Sequence, residues 1–179
     1  MQQTLGFRAT PLRVRCNPPR APVARVRLTL MGNALFYHLT RTPADALVPV
    51  LIGKARQAGW RIELRGADPA TLSRIDERLW LAEGFLPHGF AGGPHDARQP
   101  VLLTTPGQVA ANAPACLMTL DGAEVSASEI NELDRTCIIF DGGDPAATDR
   151  ARDQWRTLTG AGVTAEYWAE DGGRWERKR

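Results

Sequence analysis

Lysine is almost missing from this chain: two, Lys54 and Lys178, serve 179 residues. Neither follows a glycine-rich turn and no G-x-x-x-x-G-K-[ST] occurs, which removes the lysine and loop that would cradle the phosphates of a nucleoside triphosphate. No G-x-G-x-x-G follows the first strand-like run, so the dinucleotide fingerprint is missing too. No G-x-S-x-G elbow presents an activated serine. Cysteine is scarce, with Cys16, Cys116 and Cys137 forming no C-x-x-C pair, and neither a disulfide framework nor a thiolate zinc site follows from them. Cys116 and Cys137 lie in apolar runs, the setting of small buried thiols, and a reducing cytoplasm suits them. No apolar run approaches the eighteen or so residues that a membrane span needs.

Acid is absent from the first thirty residues, which hold Arg8, Arg13, Arg15, Arg20, Arg25 and Arg27 together with four prolines. With no apolar period they are expected to be unstructured. They are either a flexible Arg-rich extension or residues ahead of a true start at Met31. Without those six arginines the remaining chain has 16 basic against 20 acidic residues, or −4, despite the overall +2. A weakly acidic body does not offer the broad basic stripe that grips DNA phosphates. At 43% hydrophobic and 23% charged, residues 31–170 read as one soluble globular domain, followed by a basic tail at 171–179.

Strand and helix patterns alternate along that domain. ALFYHL (34–39) is an apolar, aromatic strand. Residues 45–58 place Leu47, Val48, Leu51, Ile52 and Ala55 on one helical face, and Gly59 stands at the C′ position. WRIEL (60–64) predicts a second strand, and Asp68-Pro69 then supplies an N-cap and N1 proline for a helix that turns Leu72, Ile75 and Leu79 inward. VLLT (101–104), ACLMTL (115–120) and RTCIIF (135–140) predict further strands, with a short helix around 126–132. Asp144-Pro145 caps a helix reaching about Thr159, and VTAEYW (163–168) is expected to close the sheet. The expected fold is therefore α/β: a three-layer sandwich with a largely parallel central sheet, Rossmann-like without a nucleotide-binding loop.

The chemistry-bearing residues are few. FLPHGFAGGPH (85–95) gathers two histidines, yet His88 and His95 have one nearby acid, Asp96, where zinc needs three or four ligands. His88 reads as a structural turn residue, and His38 as a packed or edge histidine. GFAGG (89–93) precedes a strand, so it lacks the helix N-terminus that lets a glycine loop hold phosphate. FDGGDP (140–145) does run from strand to helix, but Asp141 and Asp144 would repel a phosphate. A small nucleotide-using enzyme built on that loop is the rival reading, and DNA binding through the arm at 1–27 a third. The final long helix offers more: Arg152, Trp155 and Arg156 stand at i, i+3 and i+4 and share a surface. Either Trp155 completes a core stripe with Ala147, Ala151 and Leu158 while the arginines are solvated, or the three form an apolar platform between guanidinium groups. The second arrangement suits a peptide with an acidic, hydrophobic end.

Taken in order, FYHLT (36–40), RIDERLW (74–80), FLPH (85–88) with the following G-x-x-G, P-V-L-L (100–103) and A-R-x-x-W-R (151–156) resemble the chi subunit family of bacterial DNA polymerase III holoenzyme. The likeness covers about residues 34–168. It implies a non-catalytic accessory of the clamp-loader assembly, with no cofactor, that binds the acidic C-terminal tail of single-stranded DNA-binding protein. By that resemblance Arg152 and Arg156 would hold the tail's carboxylates, and Trp155 and Tyr167 would border the pocket for its terminal aromatic residue. Trp80, Phe85, Leu86 and Pro87 would meet the psi subunit, which bridges chi to the clamp loader. The implied protein is cytoplasmic, a monomer or one half of a heterodimer, and touches DNA only indirectly.

Overall fold

The computed structural model describes residues 32–179 apart from Glu83 and Gly172. The Arg-rich first thirty residues and Cys16 lie outside the described residues. Among the described residues, eight strands form one open sheet: β1 (Asn33–Leu39), β2 (Ile62–Gly66), β3 (His88–Phe90), β4 (Val101–Thr104), β5 (Cys116–Leu120), β6 (Arg135–Asp141), β7 (Thr164–Asp171) and β8 (Arg174–Arg177). Their spatial order is β3-β4-β2-β5-β6-β1-β7-β8, parallel throughout except for the antiparallel β7–β8 pair. The crossovers are α1 (Ala44–Gln57), α2 (Pro69–Leu81), α3 (Ala127–Glu132) and α4 (Pro145–Gly160). No helix among the described residues is long and apolar enough to cross a membrane.

Central parallel strands are covered on both faces, so their side chains are apolar on both sides of the pleat. Leu35, Tyr37 and Leu39 of β1, with Cys137 and Ile139 of β6, join Val48, Ile52, Leu72 and Ile75 of α1 and α2 in one core. The intervening residues Ala34, Phe36, Ile138 and Phe140 join Ile130, Ala147, Ala151 and Leu158 of α3 and α4 in the other. Cys116 and Cys137 are buried free thiols, and the hydrogen bond between them, with burial, holds the Cys137 thiol well above its ordinary range.

The caps read from the sequence are formed: Asp68 accepts from the amides of Ala70 and Thr71, and Asp144 from that of Ala146. Three expectations are corrected. β2 starts at Ile62, because the Trp60 amide still donates to Ala55 O and that of Gly59 to Arg56 O, closing α1 over a glycine with φ of 79°. β7 does not close the sheet: β8, in residues expected to trail behind as a tail, pairs outside it. His88 is not a turn residue, since HGF forms the short edge strand β3 against β4.

Candidate functional site

Arg152, Trp155, Arg156 and Tyr167, chosen from the sequence, come together around one hollow of about 430 Å³ between α4 and the end of the sheet. α4 buries Ala147, Ala151 and Leu158, and Trp155 lies half-buried at the margin of that stripe. Trp155 thus joins the core stripe only in part, with Arg152 and Arg156 exposed to either side. The indole meets Phe36 edge-on at 5.0 Å between ring centroids, and meets Tyr167 in the same manner at 6.4 Å. Phe36 and Tyr167 are partners in the β1–β7 register, which sets both rings under α4.

His38 is a packed histidine on an inner strand, two residues from Phe36 and hence on the same face. Its ring stacks on Phe140 at 5.1 Å, and its Nδ1 shares a 2.5 Å hydrogen bond with the Tyr167 hydroxyl. Gly142 permits this packing, because a Cβ there would run into the imidazole and Leu39 O. Burial lowers the His38 pKa, and the positive charge of Arg152 lowers it further. Burial raises that of Tyr167. Both rings are accordingly neutral near pH 7.

The α4 guanidiniums are exposed, Arg152 bonded to Asp149 at 2.9 Å and Arg156 to Asp153 at 3.1 Å. Such exposed i, i+3 pairs are weak and give way readily to another carboxylate. Lys178 and Arg179 also line the hollow, so four cations and no Asp or Glu border it. Aromatic rings beside exposed cations can hold an apolar side chain and a carboxylate together. Phe36, His38, Lys178 and Arg179 were not identified from the sequence, since their approach to α4 depends on strand order and on a strand, β8, whose composition hid it.

The residues around FLPH separate into two groups. Trp80 and Phe85 are 59% and 80% exposed, next to Leu81 at 80%. Leu86 instead packs on the core, and Pro87 is half-buried. His88 is buried, with Nδ1 2.7 Å from Leu86 O, its ring against Trp80, and Nε2 3.3 Å from Asp76 without hydrogen-bond alignment. The Asp96 carboxylate accepts from the amides of Gly92 and Gly93, and His95 precedes a single 3₁₀ turn. No cluster of three or more His, Cys, Asp or Glu able to hold a metal occurs among the described residues.

The FDGGDP loop borders a different hollow, of about 600 Å³, at the carboxyl ends of β1, β5 and β6, where doubly wound sheets bind nucleotides. Asp45, Asp121, Asp141 and Asp144 line it, together with Arg41, Arg74 and Arg150. Asp144 caps α4 and Asp141 accepts from the Gly143 amide. Burial, with the nearby charge of Asp68, raises the Asp121 carboxyl above its ordinary value. Charges of both signs thus line this hollow, whereas the charged residues lining the hollow under α4 are all basic.

Comparison with curated proteins finds no match. Among protein families, the model of DNA polymerase III chi subunit, HolC, matches residues 31–166, from just before β1 through α4 and into β7.

Proposed function

The chain belongs to the DNA polymerase III chi subunit family, a non-catalytic accessory of the replicative polymerase, and from that premise we propose that it binds the acidic C-terminal tail of single-stranded DNA-binding protein and links it to the clamp loader. The observation that carries this reading is the meeting of Arg152, Trp155, Arg156 and Tyr167 around one acid-free hollow. The tail's carboxylates lie against Arg152 and Arg156, displacing Asp149 and Asp153, while its terminal aromatic residue enters beside Trp155 and Tyr167. Indole and phenol edges suit an aromatic guest, and screening of the charged contacts makes the affinity fall with salt. As a replication subunit the protein acts in the cytoplasm, at the nucleoid.

The exposed Trp80 and Phe85 support a second contact, with a psi subunit that bridges to the clamp loader. Exposed aromatics are the usual anchors of a protein interface. Leu86 and Pro87 belong to that contact as supports of the Phe85 loop, since Leu86 faces the core. A pull-down from extract with the immobilised protein tests both contacts. The reading predicts recovery of single-stranded DNA-binding protein and of clamp-loader subunits; recovery of neither contradicts it.

A further inference from the structure

Parallel strands need cover on both faces, because each face is a row of apolar side chains. On one face of this sheet α3 and α4 lie over β1, β6 and β7. On the other, α1 packs over β2 and β6, and α2 over β2 and β3. That face of β1, β7 and β8 has no helix of its own among the described residues. Three strands about 4.8 Å apart span about 10 Å, the width of one helix with its side chains. The layer beside α1 thus has room for one more helix.

A trough of about 430 Å³ runs along this gap. Its near wall is α1, where Ala46, Val50, Lys54 and Ala58 recur at steps of four and so share a ridge. From Ala46 to Ala58 that wall is about 18 Å long, and Val50 near its middle is 53% exposed. Leu35 and Tyr37 make the floor. The far wall is Trp168 and Trp175, both half-buried, with ring centroids 6.3 and 5.4 Å from that of Tyr37. Both tryptophans stand beyond residue 166, where the family match ends.

The charged residues lining the trough are Lys54, Arg135 and Glu166. Glu166 is already engaged: it accepts from the Trp168 indole at 3.0 Å and from Asn33 at 3.3 Å, and pairs with Arg177 at 3.5 Å. Glu170, the next acid on that strand face, accepts from the amides of Arg41 and Thr42. No carboxylate lies within ion-pair distance of Lys54 or Arg135 among the described residues, and Arg135 lies over the Trp60 ring at 5.2 Å. Both cations stand toward the end of the trough where α1 finishes and β6 begins. The trough therefore joins an apolar bed to one unpaired basic end.

We propose that this trough is a docking site for an amphipathic helix of a partner protein, about three turns long, laid alongside α1. Its apolar stripe rests on Val50, Tyr37, Trp168 and Trp175, and an acidic residue near one end meets Lys54 and Arg135. A carboxylate there gains charge-assisted bonds, and the helix completes the layer over β1 and β7. The site is on the opposite face of the sheet from α4 and does not depend on the tail-binding reading.

The test is selection on the full chain from a display library of helical peptides of about four turns, with a fixed leucine stripe and randomised polar positions, followed by fluorescence anisotropy of the recovered peptides. Recovered peptides are expected to be acidic toward one end. Val50→Asp, at an exposed position and shown folded by circular dichroism, should weaken binding about tenfold or more by placing a charge in the apolar bed. Arg152→Ala should bind as the parent does, and Lys54→Glu/Arg135→Glu should select basic ends instead of acidic ones. Peptides that bind Val50→Asp as tightly as the parent overturn the proposal; if they are lost in Arg152→Ala, they belong to the hollow under α4. Recovery of no peptide by the full chain also overturns it, and recovery only by a chain lacking residues 1–30 assigns the trough to that segment. A dimer in sedimentation velocity that Val50→Asp dissolves overturns it too, assigning the face to a second copy.

Discussion

The imidazole of His38 and the phenol of Tyr167, 129 positions apart in sequence, share a 2.5 Å hydrogen bond on neighbouring parallel strands beneath α4. The bond ties the floor of the candidate hollow to its rim. His38 Nε2 is buried with no partner, so Nδ1 carries the ring's one side-chain hydrogen bond. Tyr167→Phe keeps the aromatic edge against Trp155 and removes that bond. It should cost about 1 kcal/mol in urea unfolding, the usual worth of a hydrogen bond whose partner is left unpaired, while leaving acidic-peptide affinity within about twofold of the parent's.

The same pair makes stability depend on pH. Burial, aided by the Arg152 charge and opposed by Asp141, sets the folded His38 pKa below its ordinary value. Below about pH 6.5 the unfolded chain takes up a proton that the folded chain refuses. The contribution of the neutral imidazole is thus fully present above that value and declines as pH falls toward the folded pKa. Urea midpoints at about pH 7.5 and about pH 5.5 should fall for the parent and fall less for His38→Phe. Equal declines for the two proteins would contradict the placement of His38.

A second polar cluster holds the sheet interior. The Glu63 carboxylate, 3% exposed, accepts from Thr104 Oγ1 at 2.7 Å and pairs with Arg65 at 2.9 Å, and Arg65 also bonds Glu129. Arg65→Ala would leave a buried carboxylate without its cation. The expected loss is about 3 kcal/mol at neutral pH, measured by urea unfolding. Arg65→Ala/Glu63→Gln should recover part of it, because the uncompensated charge is gone.

Phe85 is exposed on the surface proposed to meet psi. Phe85→Asp should shift unfolding stability by less than about 0.5 kcal/mol, as exposed substitutions do, yet abolish co-purification with a co-expressed psi subunit. Retained co-purification would move that interface elsewhere.

Long, strongly periodic elements were legible in the sequence. The α1 stripe Leu47, Val48, Leu51, Ile52 and Ala55 and the α2 stripe Leu72, Ile75 and Leu79 are buried as read. VLLT forms β4 at the expected bounds. β3 escaped because three residues with a central glycine make no alternation. β8 escaped because RWER carries three charges, as short edge strands often do to resist pairing with other chains. Trp60 looked like the start of a strand while its amide was completing the closure of α1. At the site, the i, i+3, i+4 spacing located Arg152, Trp155 and Arg156, because helical periodicity is local. Phe36, His38, Lys178 and Arg179 depend on β1 lying between β6 and β7 and on a hairpin folding back beside Tyr167. Strand order of that kind is a long-range property and leaves no spacing to read.

The most direct measurement is the affinity of an acidic peptide ending in phenylalanine for the parent and for Arg152→Ala, by fluorescence anisotropy at low salt. The expected result is binding by the parent that weakens as salt rises, and a loss of about 1–3 kcal/mol for Arg152→Ala, the range for a charge-assisted hydrogen bond. Equal affinity in parent and variant would contradict it.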